Sequence, residues 1–139
     1  MCGFIGTDSK NEVLHNKLEQ CNEQLICRGP DKKKVLETSE DKVNFKGICN
    51  RLSIIDLSSN ADQPMMSHDK NYILMFNGEI YNHAELRSQL MKIGYKFESS
   101  HSDTESLLYS FIEYGEKTPE ILRGQFSFIF LDKRKNIIY

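Results

Sequence analysis

A cysteine stands second in this chain, in the run Met1-Cys2-Gly3. A start methionine is usually trimmed when the next residue is small, and trimming here would leave one residue carrying both a thiol and a free α-amine. An α-amine titrates near about 8, low enough to act as a base around neutral pH, and a thiol is the best side-chain nucleophile at that pH. Cys2 would then supply nucleophile and base without a histidine, unless it is only a small residue after the start. Asn77-Gly78 follows an apolar run. By itself it favours the type I′ hairpin turn; the functional alternative is an oxyanion hole. In the second case an Asn amide and a Gly N–H each lower the barrier by about 2.7–4 kcal/mol. Arg51 sits among apolar strand-type residues, where a charge needs a reason, and Asp103 sits at a helix start. A guanidinium holds a carboxylate in bidentate fashion and a carboxylate holds an ammonium, so the pair suits an amino acid. Their plain uses are an outward strand position and an N-cap.

These residues need elements to bring them together. Residues 3–7 have the composition of a short strand. Leu14, Leu18, Cys21 and Leu25 fall on one face of a helix that stops before the turn signal Arg28-Gly29-Pro30-Asp31. The basic run Lys32-Lys33-Lys34 in that region is expected to be a solvated loop. Residues 43–57 carry strand-type residues from Val43 to Leu57, and Tyr72 to Phe76 is a buried strand. Asn82 with Glu85 and Ser102 with Glu105 have the spacing of capping boxes opening two helices. Gly94 and Gly115 stand where those helices should close. Residues 125–131 alternate, with Phe126, Phe128 and Phe130 on one face. Asp132 to Asn136 turns the chain, and Ile137-Ile138-Tyr139 starts back. Helices set apart from meandering strands predict an α+β fold of layers with antiparallel sheets.

A chain of 139 residues amounts to one domain, and 39% hydrophobic against 27% charged residues predicts one core in a soluble protein. A net charge of -2 argues against a nucleic-acid or membrane-surface partner. With no apolar span and no signal-peptide pattern, the cytoplasm is the expected compartment. There the four cysteines should be reduced, and their spacing fits no zinc site. The sequence stops inside an apolar strand, which suggests a domain incomplete at its C-terminus.

Taken in order, Met1-Cys2-Gly3, Arg28-Gly29-Pro30-Asp31, Arg51-Leu52-Ser53-Ile54-Ile55-Asp56-Leu57, Gln63-Pro64-Met65, Phe76-Asn77-Gly78-Glu79-Ile80-Tyr81-Asn82, Ser102-Asp103-Thr104-Glu105 and Gly124-Gln125-Phe126-Ser127-Phe128 form a series. It resembles the class II glutamine amidotransferase domain of glutamine-hydrolysing asparagine synthetases, over essentially the whole chain. The resemblance implies a four-layer α/β/β/α N-terminal-nucleophile hydrolase fold and hydrolysis of L-glutamine to glutamate and ammonia through a Cys2 thioester. By position it implies that Cys2 is the nucleophile and that Asn77 and Gly78 form the oxyanion hole. Arg51 would hold the glutamine carboxylate and Asp103 its ammonium, with Glu79 beside them and the backbone of Leu52, Ser53, Ile54 and Ile55 completing the site. No metal or cofactor is implied for this chain. ATP and Mg would belong to a separate synthetase domain that accepts the ammonia, and a homodimer is left open. Two departures stand out: Cys27 replaces the histidine often found before Arg-Gly-Pro-Asp, and Asn50 precedes Arg51 in Gly47-Ile48-Cys49-Asn50, where a charged residue or histidine is common. The alternatives are a related amidotransferase with a sugar or peptide acceptor, and a non-catalytic regulatory domain.

Overall fold

The computed structural model of the chain describes residues 2–9, 11–38, 44–54 and 57–139. Among these, strand β1 (Gly3–Thr7) leads to helix α1 (Glu12–Glu23), then to strands β2 (Lys32–Glu37), β3 (Lys46–Arg51), β4 (Met65–Met66) and β5 (Tyr72–Ile80). Helices α2 (His83–Lys92), α3 (Asp103–Tyr114) and the short α4 (Thr118–Ile121) follow, and the hairpin of β6 (Gly124–Asp132) and β7 (Ile137–Ile138) comes last. The strands described form two antiparallel sheets, in the orders β1-β3-β2 and β4-β5-β6-β7.

Side-chain alternation along β5 explains the layering. Successive residues point to opposite faces of a strand. Ile73 and Met75 enter a core with Phe45, Cys49 and Leu131 between the two sheets. Leu74, Phe76 and Ile80 point the other way and pack with Leu86, Leu107, Leu108, Phe111 and Phe130 beneath α2 and α3. Phe130 on β6 stacks on Phe111 of α3 with ring centroids 4.6 Å apart. Helix α1 covers the far side of the first sheet, where Asn50 Nδ2 donates to Asn22 Oδ1 at 2.6 Å and Lys33 pairs with Glu19 at 2.6 Å. The result is the expected α+β arrangement in four layers, helix, sheet, sheet, helices. No helix among the described residues is long and apolar enough to cross a membrane.

Several local expectations change in the folded chain. The basic run is not a loop: it opens β2, with Lys33 facing α1 while Lys32 and Lys34 face the other way. The buried face of α1 runs through Leu18 and Asn22, leaving Leu14 42% exposed and Cys21 on the surface. The amide pair with Asn50 is the reason, since a buried polar group is kept where it finds a partner. Among the described residues of the strand expected over 43–57, Lys46–Arg51 is strand, and Val43, Ile55 and Asp56 lie outside the described residues. The chain peels away at Leu52 because Asp31 takes both sides of the exit: its N–H donates to Arg51 O at 3.1 Å and its Oδ2 accepts Ser53 N–H at 2.7 Å. Gly29 lets that turn approach, since a Cβ there would lie 2.1 Å from Asn50 O.

Both expected capping boxes are incomplete. Ser102 Oγ accepts Glu105 N–H at 3.3 Å as expected, but the Glu105 carboxylate turns to the Glu98 and Ser99 N–H groups at 2.7 and 2.9 Å. Asn82 makes no side-chain cap for α2; its amide instead spans Ile121 O and Arg123 N–H and ties the end of β5 to the start of β6. Gly94 does close α2, with its N–H on Met91 O and the Tyr95 N–H on Leu90 O.

Candidate active site

One cavity of about 200 Å³ collects most of the residues singled out by their chemistry: Cys2, Arg51, Leu52, Ile54, Gly78, Glu79 and Asp103 all line it. Ser53 and Asn77 do not line it, and Ile55 is outside the described residues. Phe76, Gln63, Tyr81 and Gln125 line it as well.

Cys2 stands just before β1, whose first residue, Gly3, pairs with Asn50 of β3. Continuing that register puts Cys2 opposite Arg51. Cys2 shares a strand face with Phe4, which packs on the inter-sheet core. Its sulfur is held by the backbone of the residue after the arginine: Leu52 N–H lies 3.5 Å from Sγ, and Sγ lies 3.8 Å from Leu52 O. Cys49, on β3 nearby, is 1% exposed, and burial together with the neighbouring Cys2 pushes its thiol far above the ordinary range. A buried thiol of that kind is inert. All four cysteines are free.

Arg51 is only 6% exposed and ends β3. Its Nη1 donates to Ser58 O at 2.9 Å and to Asp62 Oδ1 at 2.7 Å. Asp62 was not visible as a site residue from sequence, nor were the lysines that share it: Lys34 Nζ lies 3.0 Å away and Lys32 is closer still. The alternation of the lysine run was the available signal, because it places two ammonium groups on one strand face. Burial pushes the Asp62 carboxyl up, but the hydrogen bonds from Lys32, Lys34 and Arg51 outweigh it and hold the pKa at about 2, against an ordinary 3.8. A depressed carboxylate pKa stabilises the fold above its unfolded value and loses that stabilisation as pH falls through the folded one. Asp62 therefore contributes of order 2 kcal/mol above pH 3.8, lost as pH drops toward about 2. Urea titrations of Asp62→Asn against the parent should show the difference near neutrality and a narrowing gap in that acid window. A constant gap down to the lower limit would show that charge is not its cause.

Asp103 is the first residue of α3, with Ser102 as the cap, so N-capping is not its use. Its Oδ2 accepts Ile80 N–H at 3.2 Å and its Oδ1 accepts Thr104 N–H at 2.8 Å. Burial nevertheless raises its pKa above the usual carboxylate value, and among the described residues no cation forms an ion pair with it. A buried acid of this kind gains from an ammonium that brings its own charge.

Asn77-Gly78 is not a hairpin turn. Both residues lie inside β5, paired with Ser127 and Phe126 of β6. Gly78 has φ +154, and a Cβ there would lie 2.1 Å from Gln125 O, so glycine lets the two strands close. Asn77 shares its face of β5 with Ile73 and Met75, toward the sheet that carries Cys2. Its Oδ1 is buried and finds no hydrogen-bond partner among the described residues. A buried acceptor left unmade costs about 1–3 kcal/mol, so it needs an explanation.

A thiol, a buried arginine and a buried acid thus line one small cavity. The family profile described as "Glutamine amidotransferase domain" matches residues 1–139. The chain is 37% identical over 144 residues to asparagine synthetase [glutamine-hydrolyzing] 1 of Bacillus subtilis (strain 168), covering 100% of this chain and 22% of that protein. Against asparagine synthetase [glutamine-hydrolyzing] 1 of Arabidopsis thaliana the identity is 34% over 139 residues, covering 98% and 22%. The chain thus spans about a fifth of the length of these relatives. Among solved structures, glutamine phosphoribosylpyrophosphate amidotransferase from B. subtilis superposes with a TM-score of 0.64 over 95% of this chain and 35% of that one, at 18% identity. That likeness shows that the two chains share the layered fold of helices and antiparallel sheets. With the profile matching from end to end, this chain belongs to the glutamine amidotransferase domain family.

Proposed function

We propose that the chain hydrolyses the side-chain amide of L-glutamine and passes the ammonia to an ATP-using synthetase domain, as the names of its relatives suggest for asparagine synthesis. The observation that carries the reading is the meeting of Cys2, Arg51 and Asp103 in one small cavity. Arg51 brings positive charge for an α-carboxylate, Asp103 a buried carboxylate for an α-ammonium, and Cys2 a thiol on the same cavity wall. A regulatory domain without catalysis would have no use for that trio.

In the reaction, the Cys2 thiolate attacks the carboxamide carbon. The oxygen that becomes negative takes hydrogen bonds from the Asn77 amide and the Gly78 N–H. The proton from the thiol travels through the α-amine to the departing nitrogen, which leaves as ammonia, and a thioester remains. Water then attacks the thioester, releasing glutamate and restoring the thiol. Removing Met1 creates the α-amine that this proton route needs. The mature protein should therefore begin at Cys2 by intact mass. Synthesis in the cytoplasm, where methionine is trimmed and thiols stay reduced, suits this chemistry.

Steady-state kinetics of two substitutions test the roles. Arg51→Ala should raise KM for glutamine about 10²-fold with kcat little changed, because a carboxylate is bound alike in ground and transition states. Asn77→Ala should lower kcat about 10²–10³-fold with KM little changed. If Asn77→Ala moved only KM, the oxyanion role would be lost. If Arg51→Ala left KM alone, the clamp would be.

A further inference from the structure

The pairing of β2 with β3 creates a charge problem beside the cavity. Lys32 stands directly opposite Arg51, and Lys34 is the next residue on the same strand face. Like charges directly opposite one another destabilise a sheet, and the Arg51 side chain has little water to screen it. Asp62 separates the two sources of charge. Its Oδ1 accepts Arg51 Nη1 at 2.7 Å, while its Oδ2 takes Lys34 Nζ at 3.0 Å together with Lys32 Nζ. The Asp62 side chain is 4% exposed, so these contacts are poorly screened. The next residue fastens the loop to the other sheet, since Gln63 Oε1 accepts Phe76 N–H at 2.6 Å, one residue before Asn77.

We propose that Asp62 is the positioning residue for substrate recognition, bridging Lys32 and Lys34 to Arg51 so that the guanidinium stays at the cavity wall. Three cations against one carboxylate still leave two positive charges in surplus. A substrate carboxylate is therefore attracted even though Arg51 already has an anionic partner. The inference rests on the reading of Arg51 as the clamp on glutamine. It predicts more than a structural role would: the need for Asp62 should depend on the two lysines.

The test is steady-state glutamine hydrolysis by the intact protein in four forms: parent, Arg51→Ala, Asp62→Asn, and Asp62→Asn combined with Lys32→Gln and Lys34→Gln. Asp62→Asn keeps the shape and one acceptor but loses the charge. It should raise KM roughly tenfold with kcat within about threefold. The triple variant should bring KM back most of the way, because the repulsion that Asp62 offsets has gone. An unchanged KM in Asp62→Asn, or no recovery in the triple variant while Arg51→Ala still raises KM, would overturn the proposal and leave the clamp intact. An unchanged KM in Arg51→Ala would instead remove the clamp itself. Should Asp62→Asn fail to fold, the triple variant decides alone. A cooperative unfolding transition with near-parent KM supports the proposal, and an unfolded chain or a KM like that of Arg51→Ala refutes it.

Discussion

Replacing Cys2 with alanine should lower the rate of glutamine hydrolysis by roughly 10⁴–10⁶, the scale of losing a covalent nucleophile outright. Glutamine affinity should hardly move. The groups proposed to hold the substrate, Arg51 and Asp103, are fixed by other parts of the fold: Arg51 by Asp62 and Ser58 O, Asp103 by the N–H groups of Ile80 and Thr104. Among the described residues the hydrogen bonds of the Cys2 thiol are the long contacts to the Leu52 backbone. Calorimetric titration of Cys2→Ala with glutamine gives the affinity, and ammonia release gives the rate. Substantial turnover in this variant would mean that another group attacks the amide. Cys49 is a poor candidate for that group, since burial keeps its thiol protonated. A lost affinity would mean that the sulfur contributes to ground-state binding, and the separation of chemistry from binding would fail.

The second large effect should come from Gly78→Ala, and it should appear in stability as well as in activity. An alanine at φ +154 is strained by about 1–3 kcal/mol. Its Cβ would also meet Gln125 O at 2.1 Å and Phe126 Cα at 2.6 Å, both backbone atoms of β6 that cannot swing aside. Forcing the strands apart adds about 1–3 kcal/mol, for a total of roughly 2–6 kcal/mol. Gly115→Ala is the natural control. It shares a positive φ, +59, but a Cβ there meets nothing within 4 Å, so it should show the conformational cost alone. Urea midpoints of the two variants make the comparison. Equal losses would mean that the close approach of β5 and β6 is not what requires glycine at position 78. Any activity lost by Gly78→Ala beyond its unfolded fraction would bear on the oxyanion role proposed for its N–H.

The family was legible in residue types and order. Cys2, Arg51 and Asp103 each have a plain use where they stand, and it is the set of ordered motifs around them that matches one family. The elements with strong local signals also emerged: β1, α2 and α3 with their closing glycines, and the β6–β7 hairpin with its phenylalanine face. These depend on near-neighbour spacing, which a linear sequence displays.

What failed did so where a residue's partner is distant in sequence. Asn77-Gly78 has the composition of a turn, yet it runs straight through β5 because β6, about fifty residues on, supplies a partner for every position from Tyr72 to Ile80. Asn22 is buried because Asn50 waits for it across the layer, and no helical periodicity announces that. Lys32 and Lys34 are polar enough for a loop, but β3 pairs with them and sets Lys32 opposite Arg51. The role of Asp62 follows only from that register. Sequence alone therefore determined which reactive groups this protein owns and which family it joins, because types and short spacings carry that information. Tertiary structure decided which of those groups face one another and which carboxylate holds the arginine, because strand pairing and burial set distances and charges between residues that the chain keeps far apart.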